Sequence, residues 1–324
     1  MGLFTRLGDG ELQGLVADFA LGAVRACRPI AAGTINSNFA VDTERERWFV
    51  RINEGKAEAD VAWEAELVGA LAAGGVVTPP PVVARDGRPY APLGAKWVSV
   101  FPWRAGGHLA ADEVTPAIAE AFGAALAQLH TVGLAVPVSR RRSIYDHDHL
   151  VARFAGFAGS ADPELAHAIA VLGDELAAAS AGAAIRARAT HGMIHGDLFR
   201  DNVLWDAGRL VAILDFEQAS GGSLAYDLAV CLNDWCWRDG REEGLDVALA
   251  GALLAGYQRV RSLTPEDRDA LLIEVRAAAA RFTITRITDV YLARVDNPEK
   301  DFRAFLARCD AWRGPSLGQL SLLL

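Results

Sequence analysis

The chain has 324 residues, 52% of them hydrophobic and 23% charged, with 31 glycines and a formal net charge of −9. That balance excludes a disordered or repetitive polymer and leaves room for one or two domains with a large core. The acidic charge disfavours nucleic acid and anionic membrane surfaces as partners and points to a small-molecule ligand.

Cys27, Cys231, Cys236 and Cys309 have neither paired metal spacing nor the density of a secreted scaffold. They read as buried, reduced thiols of a cytoplasmic protein. The opening "MGLFTRLGDGELQGLVADFAL" lacks the pattern of a signal peptide, and no apolar run is long enough for a membrane span. Basic charge is almost all arginine: the lysines are Lys56, Lys96 and Lys300 alone.

Along the chain, "RPIAAGTINSNFAVDT" and "RWFVRIN" predict an antiparallel hairpin, with Val41, Phe49, Val50 and Ile52 as strand formers and Gly33, Asn36 and Asn38 as turn formers. A helix follows in "AEADVAWEAELVGALAAGG", where Val61, Ala65, Val68 and Leu71 or Ala72 recur at helical spacing and Gly74-Gly75 stops it. "PPPVVARDGRPYAPLGAKWVSVFPW" predicts two or three further short strands. Beyond it the pattern becomes helical, so the boundary falls near residue 103, giving a β-rich part over 1–103 and a helical part over 104–324. Thr115-Pro116 caps the first of those helices, Ile118, Phe122, Leu126 and Leu129 mark one of its faces, and "TPEDRDALLIEVRAAAARFTITRITDVYLARV" predicts a long one near the end. One β-like island interrupts them: "NVLW" and "RLVAILDF" flank "DAG", a hairpin signal.

That island lies in "HGMIHGDLFRDNVLWDAGRLVAILDFEQ", which spaces Asp197, Asn202 and Asp215 around the hairpin. A hairpin returns its far strand beside its near one, so Asp215 is expected to come back towards Asn202. Asn202 and Asp215 offer hard oxygen ligands of low total charge, which suits Mg²⁺ better than zinc. Asp197 is left as a carboxylate that can receive a nucleophile's proton, and phosphoryl transfer asks for little more. His191 and His195 read as loop anchors rather than metal ligands, and "DHDH" at 146–149 as a solvated helix start.

The spacing His-Gly-Asp-x-x-x-x-Asn, followed by Asp-Phe after a hairpin, resembles the catalytic-loop and metal-binding pair of protein kinases. "MIHGDLFRDNVLW", "AILDFEQAS" and "AYDLAVCLNDWCW" extend the resemblance to the aminoglycoside/choline kinase-like superfamily. "AAGTINSNF", "YDLAVCLNDWC" and "RFTITRITDVY" narrow it to the bacterial homoserine kinases built on that fold. It covers about residues 30–310. The resemblance implies an α+β, bilobal protein-kinase-like fold, with a small antiparallel-sheet N-lobe and a mainly helical C-lobe. It also implies ATP and Mg²⁺ as cofactors and transfer of phosphate to the hydroxyl of a small, amine-bearing metabolite, with L-homoserine first. Choline-like, aminosugar and aminoglycoside alcohols are the alternatives within the class. A catalytically silent nucleotide-binding module is the alternative outside it, and joint retention of Asp197, Asn202 and Asp215 weighs against that.

By the same resemblance Asp197 is the catalytic base, and Asn202 and Asp215 are the metal ligands. The loop Gly33 to Asn38, including Asn36 and Ser37, covers the phosphates; Val100 and Phe101 in "VSVFPW" form the hinge beside the adenine. Glu64 is the helix glutamate that pairs with a strand cation, with Glu66 as its competitor. Two departures stand out. The strand has no lysine, so Arg51 takes the cation's place rather than Lys56 in the following turn. The metal aspartate is followed by Glu217-Gln218-Ala219 where homoserine kinases commonly carry an aromatic pair. Glu217, Asp234 and Asp227 are the candidates to meet the acceptor's ammonium group, Asp227 having a structural reading as the residue that holds the catalytic loop.

Overall fold

A computed structural model describes residues 5–30, 36–136, 141–238 and 244–324. These residues form two compact units: one comprises the chain up to Gly107 with Leu204–Asp206 and Val211–Glu217, the other the remainder.

In the first unit, β1 (Val24–Ile30), β2 (Ser37–Thr43) and β3 (Arg47–Asn53) form an antiparallel meander. β5 (Lys96–Pro102) pairs with β3, and the three-residue β4 (Ala91–Leu93) closes the edge, giving the order β1-β2-β3-β5-β4. The period of two in a strand sorts the side chains onto two faces. Phe39, Val41, Val50, Ile52, Val98 and Val100 pack with Leu12, Leu15 and Val16 of α1 (Asp9–Asp18) in one core. The intervening positions Asn38, Arg51 and Ser99 stand opposite one another across β2, β3 and β5, on the other face. The helix α2 (Glu58–Ala73) buries Val61, Ala65, Val68 and Leu71, at the spacing its sequence predicts, and ends at Gly74. Val61 and Ala65 pack with Tyr90 and Trp97.

β7 (Val203–Asp206) and β8 (Arg209–Ile213) form a hairpin that turns through Ala207 and Gly208, both at positive φ, as the tightest two-residue turn requires. In chain order before it comes β6 (His191–Ile194), which pairs antiparallel with β9 (Ser220–Ser223). This second small sheet is absent from the sequence expectation. "SGGS" contains no strand former, and it becomes a strand only because the β6 backbone lies alongside it.

The second unit is built on helices. α3 (Pro116–Gly133) starts at Thr115, whose hydroxyl accepts the Ile118 N–H. α4 (His147–Ala155) starts at Asp146, which caps it through the His149 N–H, so "DHDH" is a helix start. α5 (Ala166–Ala181) and the single turn α6 (Ala183–Arg186) follow, then α7 (Leu224–Trp235), α8 (Val247–Val260) and α9 (Pro265–Arg286). α10 (Phe302–Trp312) and α11 (Pro315–Ser321) end the chain. α3 lies against α8 with its backbone in direct approach: a Cβ on Gly123 would run into the Leu253 carbonyl, and one on Gly256 into that of Glu120. The long predicted helix does not continue unbroken. It is α-helical to Arg286 and then widens into a π turn over Ile287–Tyr291.

No described helix is long and apolar enough to cross a membrane. All four cysteines are free thiols; Cys231, Cys236 and Cys309 are buried and Cys27 partly so. Burial pushes the Cys231 and Cys236 thiols well above their ordinary range.

Candidate active site

In the second unit the chain leaves β6 at Ile194 and turns through His195 and Gly196 into Asp197. Gly196 takes φ +78, and a Cβ there would press on the Gln218 carbonyl at 3.2 Å. The turn is held from beneath by Asp227 of α7, a fully buried carboxylate. It accepts the backbone N–H of His195 at 2.8 Å and of Gly196 at 2.7 Å, and the His130 ring Nε2 lies 3.1 Å away. Asp227 is thus the structural anchor of the loop.

The network continues behind it. The other His130 ring nitrogen meets the Tyr257 hydroxyl at 2.8 Å, and Arg261 donates to that hydroxyl at 3.1 Å and to Asp267 at 2.8 Å. Asp267 in turn accepts the Thr190 N–H at 2.8 Å, at the entrance to β6. Burial alone would raise the carboxyls of Asp227 and Asp267. The hydrogen bond and charge of His130 for the first, and the Thr190 N–H and Arg261 for the second, outweigh it and hold both below the usual carboxylate range.

A carboxylate held below its unfolded value stabilises the fold above about pH 4 and loses that contribution as pH falls through its folded value. Asp227→Asn is therefore expected to lower the unfolding free energy by about 1.5–3 kcal/mol at neutral pH. The deficit relative to wild type should shrink below about pH 4 as the wild-type carboxylate protonates. Denaturant unfolding of both proteins from pH 7 to pH 3 checks this. A deficit constant with pH would mean that the lost charge is not its source.

Asp197 is one-third exposed at its side chain, while Arg281 of α9 is buried beside it. Arg281 donates to the Gly196 carbonyl at 2.9 Å and to Asp197 Oδ1 at 3.3 Å, and its guanidinium lies 4.2 Å from the Tyr145 ring centre and 3.9 Å from that of Phe282. The carboxylate is thereby oriented by a cation that is itself clamped between rings. Asn202 ends a short 3₁₀ turn from Arg200. Its Nδ2 donates to the Asp197 carbonyl at 2.7 Å, and its side-chain oxygen has no hydrogen-bond donor among the described residues. That leaves a hard oxygen atom in fixed orientation, which fits a ligand for Mg²⁺. Arg200 fastens the same turn to Asp234, through its backbone N–H at 2.8 Å and its Nε at 3.1 Å.

The first unit carries a buried group of four charges. Arg51 donates to Glu64 at 2.6 Å and lies 3.5 Å from Glu217; Lys56 lies 3.1 Å from Glu64 and 3.0 Å from Glu217. Asn36 Nδ2 also donates to Glu217. Burial would lower the Arg51 pKa, but Glu64, Glu217 and Asp215 together raise it. Glu64 is held below its ordinary value, Arg51 and Lys56 overcoming the cost of burial. The Arg51 Nε–H, buried, has no acceptor among the described residues. Asp215 follows the apolar end of β8 at φ +62, a left-handed conformation that aspartate tolerates better than most residues.

These contacts bear on several sequence expectations. Glu64, not the exposed Glu66, meets the strand cation. Arg51 and Lys56 are not alternatives, because both reach Glu64 and Glu217. Val100 does not face the Arg51 side of the sheet. Its side chain is in the α1 core and its carbonyl accepts the Val82 N–H at 2.7 Å, whereas Phe101 lies beneath the Arg51 guanidinium at 5.5 Å. Ser37 spends its hydroxyl on Glu54 at 2.7 Å, and Asn36 accepts the Glu54 N–H at 3.2 Å, so these two tie the start of β2 to Glu54. Gly33 lies outside the described residues. The proposed ammonium acceptors Glu217, Asp227 and Asp234 all have partners within the chain. Arg281 and the second role of Glu217 were missed; the one signal for Arg281 was an arginine amid the apolar run of "AAAARFTITR".

A sequence model of the phosphotransferase enzyme family matches residues 26–314. The chain is 36% identical to a homoserine kinase of Gluconacetobacter diazotrophicus, over 89% of each chain. It is 30% identical to a homoserine kinase of Parvibaculum lavamentivorans, over 97% of each. Among solved structures, an amicoumacin kinase in complex with AMP-PNP and Ca²⁺ superposes with a TM-score of 0.73 at 13% identity, over 93% of this chain and 92% of the other. The likeness extends to the protein-kinase-like fold, with its antiparallel sheet and helical remainder.

Proposed function

Since the chain belongs to the phosphotransferase enzyme family and acts on a hydroxyl group, we propose that it transfers the terminal phosphoryl group of ATP, in the presence of Mg²⁺, to the side-chain hydroxyl of L-homoserine. The observation that carries this reading is the Asp197 carboxylate, partly open to solvent and aimed by Arg281, with Asn202 holding its backbone carbonyl. In it, Asp197 takes the proton of the acceptor hydroxyl as the new oxygen–phosphorus bond forms and the bond to the ADP leaving group breaks. Arg281 keeps the carboxylate oriented, and Asp227 keeps the loop beneath it from shifting.

Asn202 through its amide oxygen and Asp215 through its carboxylate are each proposed as ligands for Mg²⁺, which when bound would neutralise phosphate charge. Arg51 and Lys56 are proposed to face the phosphates, and Phe101 the adenine. The free thiols fit a cytoplasmic setting. Similarity to curated homoserine kinases at 30% and 36% identity supports the acceptor.

ADP release measured with L-homoserine, choline and an aminosugar tests the reading. L-homoserine is expected to give the highest kcat/KM, and removal of divalent metal by EDTA to stop turnover. A higher value for choline or the aminosugar would replace the acceptor and leave phosphotransfer standing. Full turnover in EDTA would remove Asn202 and Asp215 as metal ligands.

A further inference from the structure

Arg286 is the last residue of α9, five positions after the arginine that holds Asp197 and directly before the π turn. Its guanidinium lies 4.4 Å from the centre of the Phe305 ring, and Nη1 donates to the Asp301 carbonyl at 3.0 Å. Among the described residues that is its one hydrogen bond, and no carboxylate pairs with it. Four carboxylates nevertheless act on it electrostatically, those of Asp234, Asp197, Asp201 and Asp301. Two of the four are committed elsewhere, Asp234 to Arg200 and Asp197 to Arg281.

The contrast with the other arginines of this unit is chemical. Arg200, Arg276 and Arg281 each hold a carboxylate. Arg286 is half-buried, aligned by an aromatic ring and one backbone carbonyl, and keeps further N–H donors unused. A guanidinium in that condition is a preformed fork for a carboxylate. Continuing the α-helix past Arg286 would keep the regular turn, whereas the π turn that follows is the kind of local widening that accompanies functional positions.

Resting on the homoserine reading, we infer that Arg286 receives the α-carboxylate of the acceptor and so selects an amino-acid alcohol over an amino alcohol lacking the carboxylate. The inference gives Arg286 a substrate contact that none of the acidic candidates could supply, since they could meet only the ammonium end. Burial lowers the Arg286 pKa and outweighs the surrounding carboxylates, which raise it.

The test compares kcat/KM for L-homoserine and for 3-amino-1-propanol, which has the amine and hydroxyl without the carboxylate, in wild type, Arg286→Gln and Arg286→Lys. Wild type should prefer L-homoserine. Arg286→Gln should lose that preference by about 10- to 100-fold, the worth of a hydrogen-bonded charge contact, and Arg286→Lys should recover part of it by restoring the charge. Nucleotide KM and thermal midpoint are read on the same proteins. If both acceptors decline together in Arg286→Gln, the ratio holds and Arg286 is a structural residue, which overturns the inference while the homoserine reading survives. If wild type itself prefers 3-amino-1-propanol, both the homoserine reading and the inference fall.

Discussion

Asp197→Asn is expected to reduce kcat by about 10²–10⁴-fold, the usual range for loss of a positioned general base, with little change in either substrate's KM. The substitution preserves the shape of the side chain and keeps an oxygen for Arg281, which approaches Oδ1 at 3.3 Å. It removes the ability to take a proton, together with the negative charge that faces Arg281. The surroundings make the structural alternative testable, because the loop does not depend on the Asp197 side chain. His195 and Gly196 are held by Asp227, and Asn202 binds the Asp197 backbone carbonyl rather than its carboxylate. A thermal midpoint near wild type combined with a collapsed kcat is therefore the expected pair of readings. An unchanged kcat would remove Asp197 from the mechanism, and a collapsed midpoint would reassign it to the fold.

Arg51→Ala is expected to be the most destabilising of the charge substitutions in the first unit. Arg51, Glu64 and Glu217 are each nearly buried, with side-chain exposures of 10%, 5% and 9%. Removing the guanidinium leaves two buried carboxylates with Lys56 as their cation. Breaking a buried pair in this way typically costs about 3–5 kcal/mol, because the orphaned charge is not rehydrated. Lys56→Ala should cost less, since Arg51 still reaches both carboxylates and Lys56 is the more exposed at 16%. Both substitutions are expected to raise the KM for ATP more than that for the acceptor. Urea unfolding together with the two KM values separates the outcomes. Equal stability loss in the two variants would show that the charges are solvated and that the network is a surface one.

Much of the frame was legible because it follows from periodicity and turn chemistry. Strands β2 and β3, the helix buried through Val61, Ala65, Val68 and Leu71, and the hairpin through Ala207-Gly208 sit where local pattern puts them, whereas Asn38, expected in a turn, lies in β2 and a third strand, β1, pairs beside it. Thr115-Pro116 and Asp146 cap the helices they were expected to cap. What escaped was whatever depends on contact between distant segments. β9 is a strand by partnership, not by composition. Val100 and Phe101 differ only in parity along β5, and parity relative to the core is fixed by the register with β3, Val50 opposite Val100. Arg281 could be recognised as a partner of Asp197 only once α9 was placed beside β6; 84 residues separate the two. Lys56 looked like a turn residue because its reach to Glu64 and Glu217 depends on how the turn folds back onto α2.

The pairing of Arg51 with Glu217 has a consequence for exchanging segments between relatives. The sequence carries two departures from the homoserine kinase resemblance, an arginine in the strand and a glutamate two residues after Asp215. In the fold they lie 3.5 Å apart. They are partners in one contact, 166 residues apart in the chain. A chimaera that imports an aromatic pair at Glu217-Gln218 while keeping Arg51 and Lys56 would leave two cations facing Glu64 alone. The reverse graft, an uncharged residue at 51 with Glu217 retained, would leave two acids on Lys56. Recombination between such sequences is thus restricted to exchanges that carry both positions together, and a library built across this boundary should yield folded members mainly where the two residues share a parent.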